Sequence, residues 1–163
     1  MINLSQYFTK IKGELYKNRS LAPFTWFKVG GPAEYLFIPK NKEDLITFLK
    51  QYPAEQPKTI IGAGSNLLIR DGGILGVVIS MKKINKISKV NEFIYAECGA
   101  LDMSISRMAS KLGISGLEFL IGIPGTIGGA LKMNAGSYGS EIKDILVDVE
   151  VIDSSGLIFN VSS

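Results

Sequence analysis

The stretch Gly122-Ile123-Pro124-Gly125-Thr126-Ile127-Gly128-Gly129-Ala130-Leu131-Lys132-Met133-Asn134-Ala135-Gly136 constrains this chain more than any other. It holds five glycines, one proline and a single charge. A loop that only had to stay soluble would carry Asp, Glu, Lys and Ser instead. Glycine at this density lets backbone approach a ligand closely and leaves amide N–H groups outward as donors. Ala130-Leu131-Lys132-Met133 then reads as a short helix, whose N-terminus favours an anionic group. The physical reading is a phosphate cradle that works through backbone rather than lysine.

A second loop of the same character lies upstream, Gly62-Ala63-Gly64-Ser65-Asn66-Leu67, closed by Asp71-Gly72-Gly73. Thr59-Ile60-Ile61 before it and Leu67-Leu68-Ile69 after it read as short buried strands. Taken singly, each loop is explained equally well by tight turns and close packing. Together, with Asn66 and Asn134 offering side-chain amides, they suit a ligand carrying two linked phosphates. The first loop begins like G-x-G-x-x-G but has Leu67 at the third glycine, and no acid stands about 20 residues on, which disfavours a Rossmann dinucleotide site. No G-x-x-x-x-G-K-[ST] is present, so a P-loop is excluded as well.

The chain has 163 residues, 46% of them hydrophobic and 20% charged, the balance of a soluble domain with a real core. A net charge of +3 with scattered lysines gives nucleic-acid binding no support. The four lysines between Lys82 and Lys89 read as a solvated edge. One cysteine, Cys98, excludes an internal disulfide and reads as a buried structural thiol in a reducing compartment. With no signal-like segment and no apolar run of membrane length, a cytoplasmic location is expected. Histidine is absent, which removes Ser-His-Asp and Cys-His relays and any histidine metal ligand. No metal site is expected.

Periodicity predicts an α+β organisation. Met1 to Leu15 reads as a short helix, and Leu21 to Ala33 as an extended, turn-punctuated segment. Glu34 to Ile38 is a strand stopped by Pro39, and Asn41 caps a helix with Leu45, Ile46, Phe48 and Leu49 on its apolar face. Strands follow at 77–80, 84–90 and 93–97. A helix opens near Asp102, buries Ile105, Met108, Ala109 and Leu112, and ends at Gly113. A closing hairpin runs through residues 149–161 with its turn at Ser154-Ser155-Gly156. Two units are expected, residues 1–80 and 81–163. Trp26 is either a ring that stacks on a ligand or a buried anchor. Glu118 reads as a solvated turn residue, Lys132 as paired or site-facing, and Tyr138 as a phenol turned to the site or a cap on the core.

Three segments together resemble one family: Thr25-Trp26-Phe27-Lys28-Val29-Gly30-Gly31-Pro32-Ala33, then Gly62 to Leu68 with Asp71-Gly72-Gly73, then Gly116-Leu117-Glu118-Phe119 through Gly136-Ser137-Tyr138-Gly139. They are similar, in order and spacing over about residues 20–153, to the UDP-N-acetylenolpyruvoylglucosamine reductases. The resemblance implies an FAD-binding fold of the vanillyl-alcohol oxidase type, built from two α+β subdomains, with a further C-terminal substrate domain expected beyond Ser163. It implies noncovalent FAD, since no histidine is present to tether it, and NADPH as hydride donor. The substrate would be UDP-N-acetylenolpyruvoylglucosamine, reduced to UDP-N-acetylmuramate in peptidoglycan precursor synthesis by a monomeric enzyme. By resemblance, Gly62, Ala63, Gly64, Ser65, Asn66 and Leu67, with Ile123, Pro124, Gly125, Thr126, Gly128 and Gly129, would hold the pyrophosphate and adenosine side. Asn134, Ala135 and Gly136 would lie near the flavin. The catalytic arginine, serine and glutamate of the family are expected beyond Ser163, so this chain alone is expected to be inactive.

Overall fold

The computed structural model describes Phe8 and residues 10–163. The predicted N-terminal helix lies largely outside the described residues, and where it was to end the chain is strand: β1 spans Glu14–Ser20. It pairs antiparallel with β2 (Pro32–Ile38), so that Leu15 faces Phe37 across the ladder. β2 runs parallel to β4 (Ile74–Ser80), which runs parallel to β3 (Lys58–Ile61), giving the order β1-β2-β4-β3.

The two central strands are covered on both faces. Successive strand residues point to opposite sides, and here each side has its own core. Phe37, Val77 and Ile79 meet Leu45, Phe48, Leu49 and Tyr52 of the helix that follows β2. Leu36, Ile38 and Val78 meet Leu21, Ile61 and Ile69 on the other face. Two-sided burial explains why β2 and β4 read as continuous apolar runs rather than alternating ones. The Phe37 and Phe48 rings stack at 4.5 Å, and Tyr52 stacks on Phe48 at 5.2 Å.

That helix, α1, spans Lys42–Gln51 and begins where Asn41 predicts. Asn41 Oδ1 accepts from the Asp44 backbone N–H at 3.0 Å, the cap geometry expected of an Asn at this position. Asp44 does a second job. Its buried carboxylate accepts from the Lys12 N–H at 2.7 Å and the Lys40 N–H at 2.9 Å, tying the entry to β1 and the exit of β2 to the start of α1.

The second half of the chain is built on β5 (Ile87–Val90) and β6 (Phe93–Ala96), an antiparallel pair, and on α2 (Asp102–Leu112) and α3 (Ile127–Met133). Ala100, Ile105, Phe119, Leu120, Ile123, Ala130 and Ile142 form its core. Of the predicted stripe on α2, Ile105 and Ala109 are buried, while Leu112 at the end is exposed. Gly113 ends the helix in the left-handed region at φ 68°, its N–H returning to the Ala109 and Ser110 carbonyls. Two-residue strands β7 (Gly136–Ser137) and β8 (Ser140–Glu141) form a small ladder, and β9 (Asp148–Ile152) and β10 (Ile158–Ser162) form the predicted closing hairpin. Ile152 packs on the first core and Lys42 Nζ meets Glu150 Oε1 at 2.9 Å, so the hairpin leans on α1. Leu157, Ile158, Phe159 and Val161 stay exposed.

The predicted strand over Leu67-Leu68-Ile69 does not form. Leu68 is 73% exposed while Ile69 is buried against the second sheet face, so this segment covers the sheet without joining it.

Asp44→Ala should cost about 3 kcal/mol in urea unfolding, because two backbone N–H groups lose their shared, buried acceptor at once. A midpoint equal to that of the parent chain would show that the carboxylate is dispensable.

Candidate functional site

The first glycine loop sits at the carboxyl end of β3, the position where open parallel sheets present ligand sites. It is braced from below by the segment that precedes β2. Buried Thr25 gives its hydroxyl to the Val29 carbonyl at 2.8 Å, and the Trp26 N–H donates to the Gly64 carbonyl at 3.1 Å. Gly64 lies at φ +68°, and a Cβ there would run into the Phe24 carbonyl oxygen. The loop therefore needs glycine at this position for conformation and for space. Trp26 itself is 58% exposed, so the buried-anchor reading fails for it.

The second glycine loop is brought directly against the first. Ser65 Oγ donates to the Pro124 carbonyl at 2.7 Å across 59 residues of sequence. Asn66 Nδ2 lies 3.4 Å from Met133 Sδ. A Cβ on Gly62 would overlap Thr126 Oγ1, so the first loop's backbone packs directly on the Thr126 side chain of the second. Ser65 Oγ and the Asp102 carboxylate both stand close to Gly125, at 3.3 and 3.4 Å from where its Cβ would lie.

The backbone N–H groups of Ser65, Asn66, Gly125, Thr126 and Gly129 find no acceptor among the described residues. Donors left over at a junction of two small-residue loops are what an anionic ligand requires. The remaining residues divide by role. Ala63 is half-buried within the first loop. Leu67 and Ile123 turn into the second and third cores and support the loops from behind. Gly128 is pressed on Cys98, whose carbonyl accepts its N–H at 2.9 Å. The half-buried Cys98 thiol is pushed up by its burial, as a structural cysteine is.

Asn134, Ala135 and Gly136 sit at the far end of α3. Asn134 caps the helix in the left-handed region at φ 44°, donating through Nδ2 to Glu141 at 2.8 Å and accepting through Oδ1 from the Lys143 N–H at 3.0 Å. Its amide is thus engaged within the chain. Ala135 donates to the Ala130 carbonyl and Gly136 pairs with Glu141 in the β7–β8 ladder. Glu118 is exposed and accepts from the Gly116 N–H at 2.8 Å, and Lys132 is exposed. Tyr138 is 87% exposed and caps no core; with Glu118, Phe119, Ile121 and Ser140 it lines a shallow depression of about 450 Å³.

Sequence reasoning missed Asp102. An acid opening a helix reads as a solvated partner of the helix dipole, yet Asp102 is 0% exposed and neither carboxylate oxygen has a hydrogen-bond partner among the described residues. Its N–H donates to the Gly125 carbonyl at 3.3 Å, and Leu101 bridges Thr126, so α2 and the second loop are joined there. Burial pushes its carboxyl up to about 7. Between pH 4 and 7, roughly, the folded chain holds a proton that the unfolded chain has lost, so stability falls as pH rises through that window, by about 1.4 kcal/mol per unit at most. Below the window both states are protonated, and above it neither is. Asp102→Asn should flatten this dependence in denaturant titrations from pH 4 to 8, and an unchanged slope would show that Asp102 is ionised throughout.

The profile of the FAD binding domain family matches residues 33–162. The chain is 52% identical over 148 residues to the UDP-N-acetylenolpyruvoylglucosamine reductase of Phenylobacterium zucineum (strain HLK1), covering 90% of this chain and 49% of that protein. For the reductase of Bradyrhizobium sp. (strain ORS 278) the identity is 50%, covering 90% and 48%. The chain spans about half the length of the curated relatives it matches. Among solved structures, UDP-N-acetylenolpyruvylglucosamine reductase (MurB) from Thermus caldophilus superposes with a TM-score of 0.73 at 33% identity, over 93% of this chain and 53% of that one. Glucooligosaccharide oxidase from Acremonium strictum, a protein with a covalently attached FAD, shares the fold at a TM-score of 0.67 and 16% identity, over 92% and 34%. The family resemblance read from the three sequence segments and the vanillyl-alcohol oxidase type of fold are both borne out. This chain belongs to the FAD binding domain family.

Proposed function

We propose that the chain is the FAD-binding part of an NADPH-dependent reductase that converts UDP-N-acetylenolpyruvoylglucosamine to UDP-N-acetylmuramate in peptidoglycan precursor synthesis in the cytoplasm. The observation that carries the reading is the Ser65–Pro124 tie, which joins two glycine loops into one surface of unpaired N–H donors. Relatives about 50% identical and named for this reductase support it over an oxidase of the same fold.

The residues present fit a dinucleotide with a central diphosphate. Ser65, Asn66, Gly125, Thr126 and Gly129 offer backbone donors, while Leu67 and Ile123 hold the loops from the core side. Asn134 to Gly136, at the other end of α3, would border the flavin. FAD, when bound, supplies the relay of a hydride from the nicotinamide to the enolpyruvyl group. This chain's part is to bind and orient that group. It contributes no assigned proton donor. In this reading residues 1–80 and 81–163 are the two subdomains, and the shallow depression at Tyr138 opens toward solvent beside the second. Without histidine in the chain, the cofactor would be held noncovalently.

The 163-residue chain mixed with FAD and passed through gel filtration should elute with a flavin spectrum near one equivalent. Folded protein free of flavin would overturn the reading for this chain. Gly64→Ala, which strains a left-handed backbone and meets the Phe24 carbonyl, should abolish co-elution. Ser65→Ala removes one hydrogen bond between the loops and should raise the Kd for FAD by about 3- to 10-fold.

A further inference from the structure

We propose that Asp102 is a positioning residue for the diphosphate site, and that the site takes up a proton there when it binds its ligand; the proposal rests on the FAD-binding reading above. Three observations converge on it. The carboxylate is fully buried and unpartnered. Its Oδ2 lies 3.4 Å from where a Cβ on Gly125 would stand, a point that Ser65 Oγ, which ties the two loops together, approaches to 3.3 Å. It opens α2, an eleven-residue helix whose first N–H is bonded to that same Gly125, so its position is set by the second loop rather than by solvent.

The neutral form is the one compatible with a bound diphosphate. An ionised carboxylate this close to Gly125 would repel a phosphate held on the same loop, the more strongly for being buried away from water. Among the described residues no lysine or arginine is found offsetting it, and burial is what pushes the carboxyl up. Near it are Ser106 one turn along its own helix, Ser65 from the first loop and Thr126 from the second, with Cys98 in the turn before α2, packed on Gly128. Only the thiol of these titrates, and burial, with Glu97 next to it, pushes that thiol upward, out of the working range. A bound dianion therefore raises the proton affinity of Asp102 further, and binding and protonation favour each other.

FAD titrations of the full chain from pH 6 to 8.5 test this. The Kd should rise by about tenfold or more across the range in the parent chain and stay flat in Asp102→Asn. Equal pH profiles in the two proteins overturn the proposal. A second measurement needs no variant: calorimetry at pH 7.5 in two buffers of different ionisation enthalpy should show uptake of more than about half a proton per FAD bound. Binding without proton uptake overturns the proposal while leaving the flavin reading intact. No FAD binding at any pH overturns both.

Discussion

The backbone of the first loop lies against the Thr126 side chain of the second at Gly62, and the surrounding structure is arranged to permit that approach. A side chain at position 62 would force the loops apart, and with them the Ser65–Pro124 bond. Close contact of this kind needs rigid supports on both sides, because a loop without side chains has little to hold it in place. The first loop is held by the doubly buried β2–β4 pair, with Leu67 and Ile69 anchored in the sheet's second face. The second is held by Ile123 and Ala130 in a separate core and by the bridge to Leu101. Each loop is therefore a bare edge on a packed body, and the site lies between them.

Legibility in the sequence followed from whether the signal was local. The Asn41 cap, the Gly113 stop and the Ser154–Gly156 turn are decided within a few residues of chain, and α1, α2 and the closing hairpin appear where they are predicted. β1 escaped because it is an edge strand whose outer residues are exposed; Glu14–Ser20 carries little apolar alternation to read. Leu67-Leu68-Ile69 was misread because a short apolar run looks the same whether it joins a sheet or merely covers one. Asn134 has the residue type of a ligand-binding amide, but its bonds to Glu141 and Lys143 are made by a hairpin later in the chain. That the two loops meet was inferred from their shared character; which atoms meet depends on pairings across 59 residues that no local pattern encodes.

Two groups of exposed apolar residues are structurally different. Trp26 and Phe27 sit on a braced turn whose backbone is committed to the first loop, so their exposure comes with a fixed geometry. Leu157, Ile158, Phe159 and Val161 belong to a two-stranded sheet whose other anchor is Ile152 on the first core. A two-stranded ribbon is marginal by itself, and the Lys42–Glu150 pair, half-exposed on both partners, adds little. The hairpin accordingly depends on the packing of Ile152 beneath it more than on its own ladder.

Asp102 runs against the logic that governs the rest of the fold. Asp44, equally buried, has both carboxylate oxygens satisfied by backbone N–H groups and serves as a knot between three elements. Asp102 has the same chemistry and no partner. For folding alone, Asn or Thr at this position would open the helix as well and avoid the cost of burying an acid. A local rule broken where two ligand-facing loops converge is the pattern expected of a site residue, where stability is given up for control over what binds. The contrast between the two aspartates also fixes what kind of control is available. Left unsatisfied by any backbone donor, the buried Asp102 carboxyl is pushed up to about 7, and its charge bears directly on Gly125 and any anion held against it.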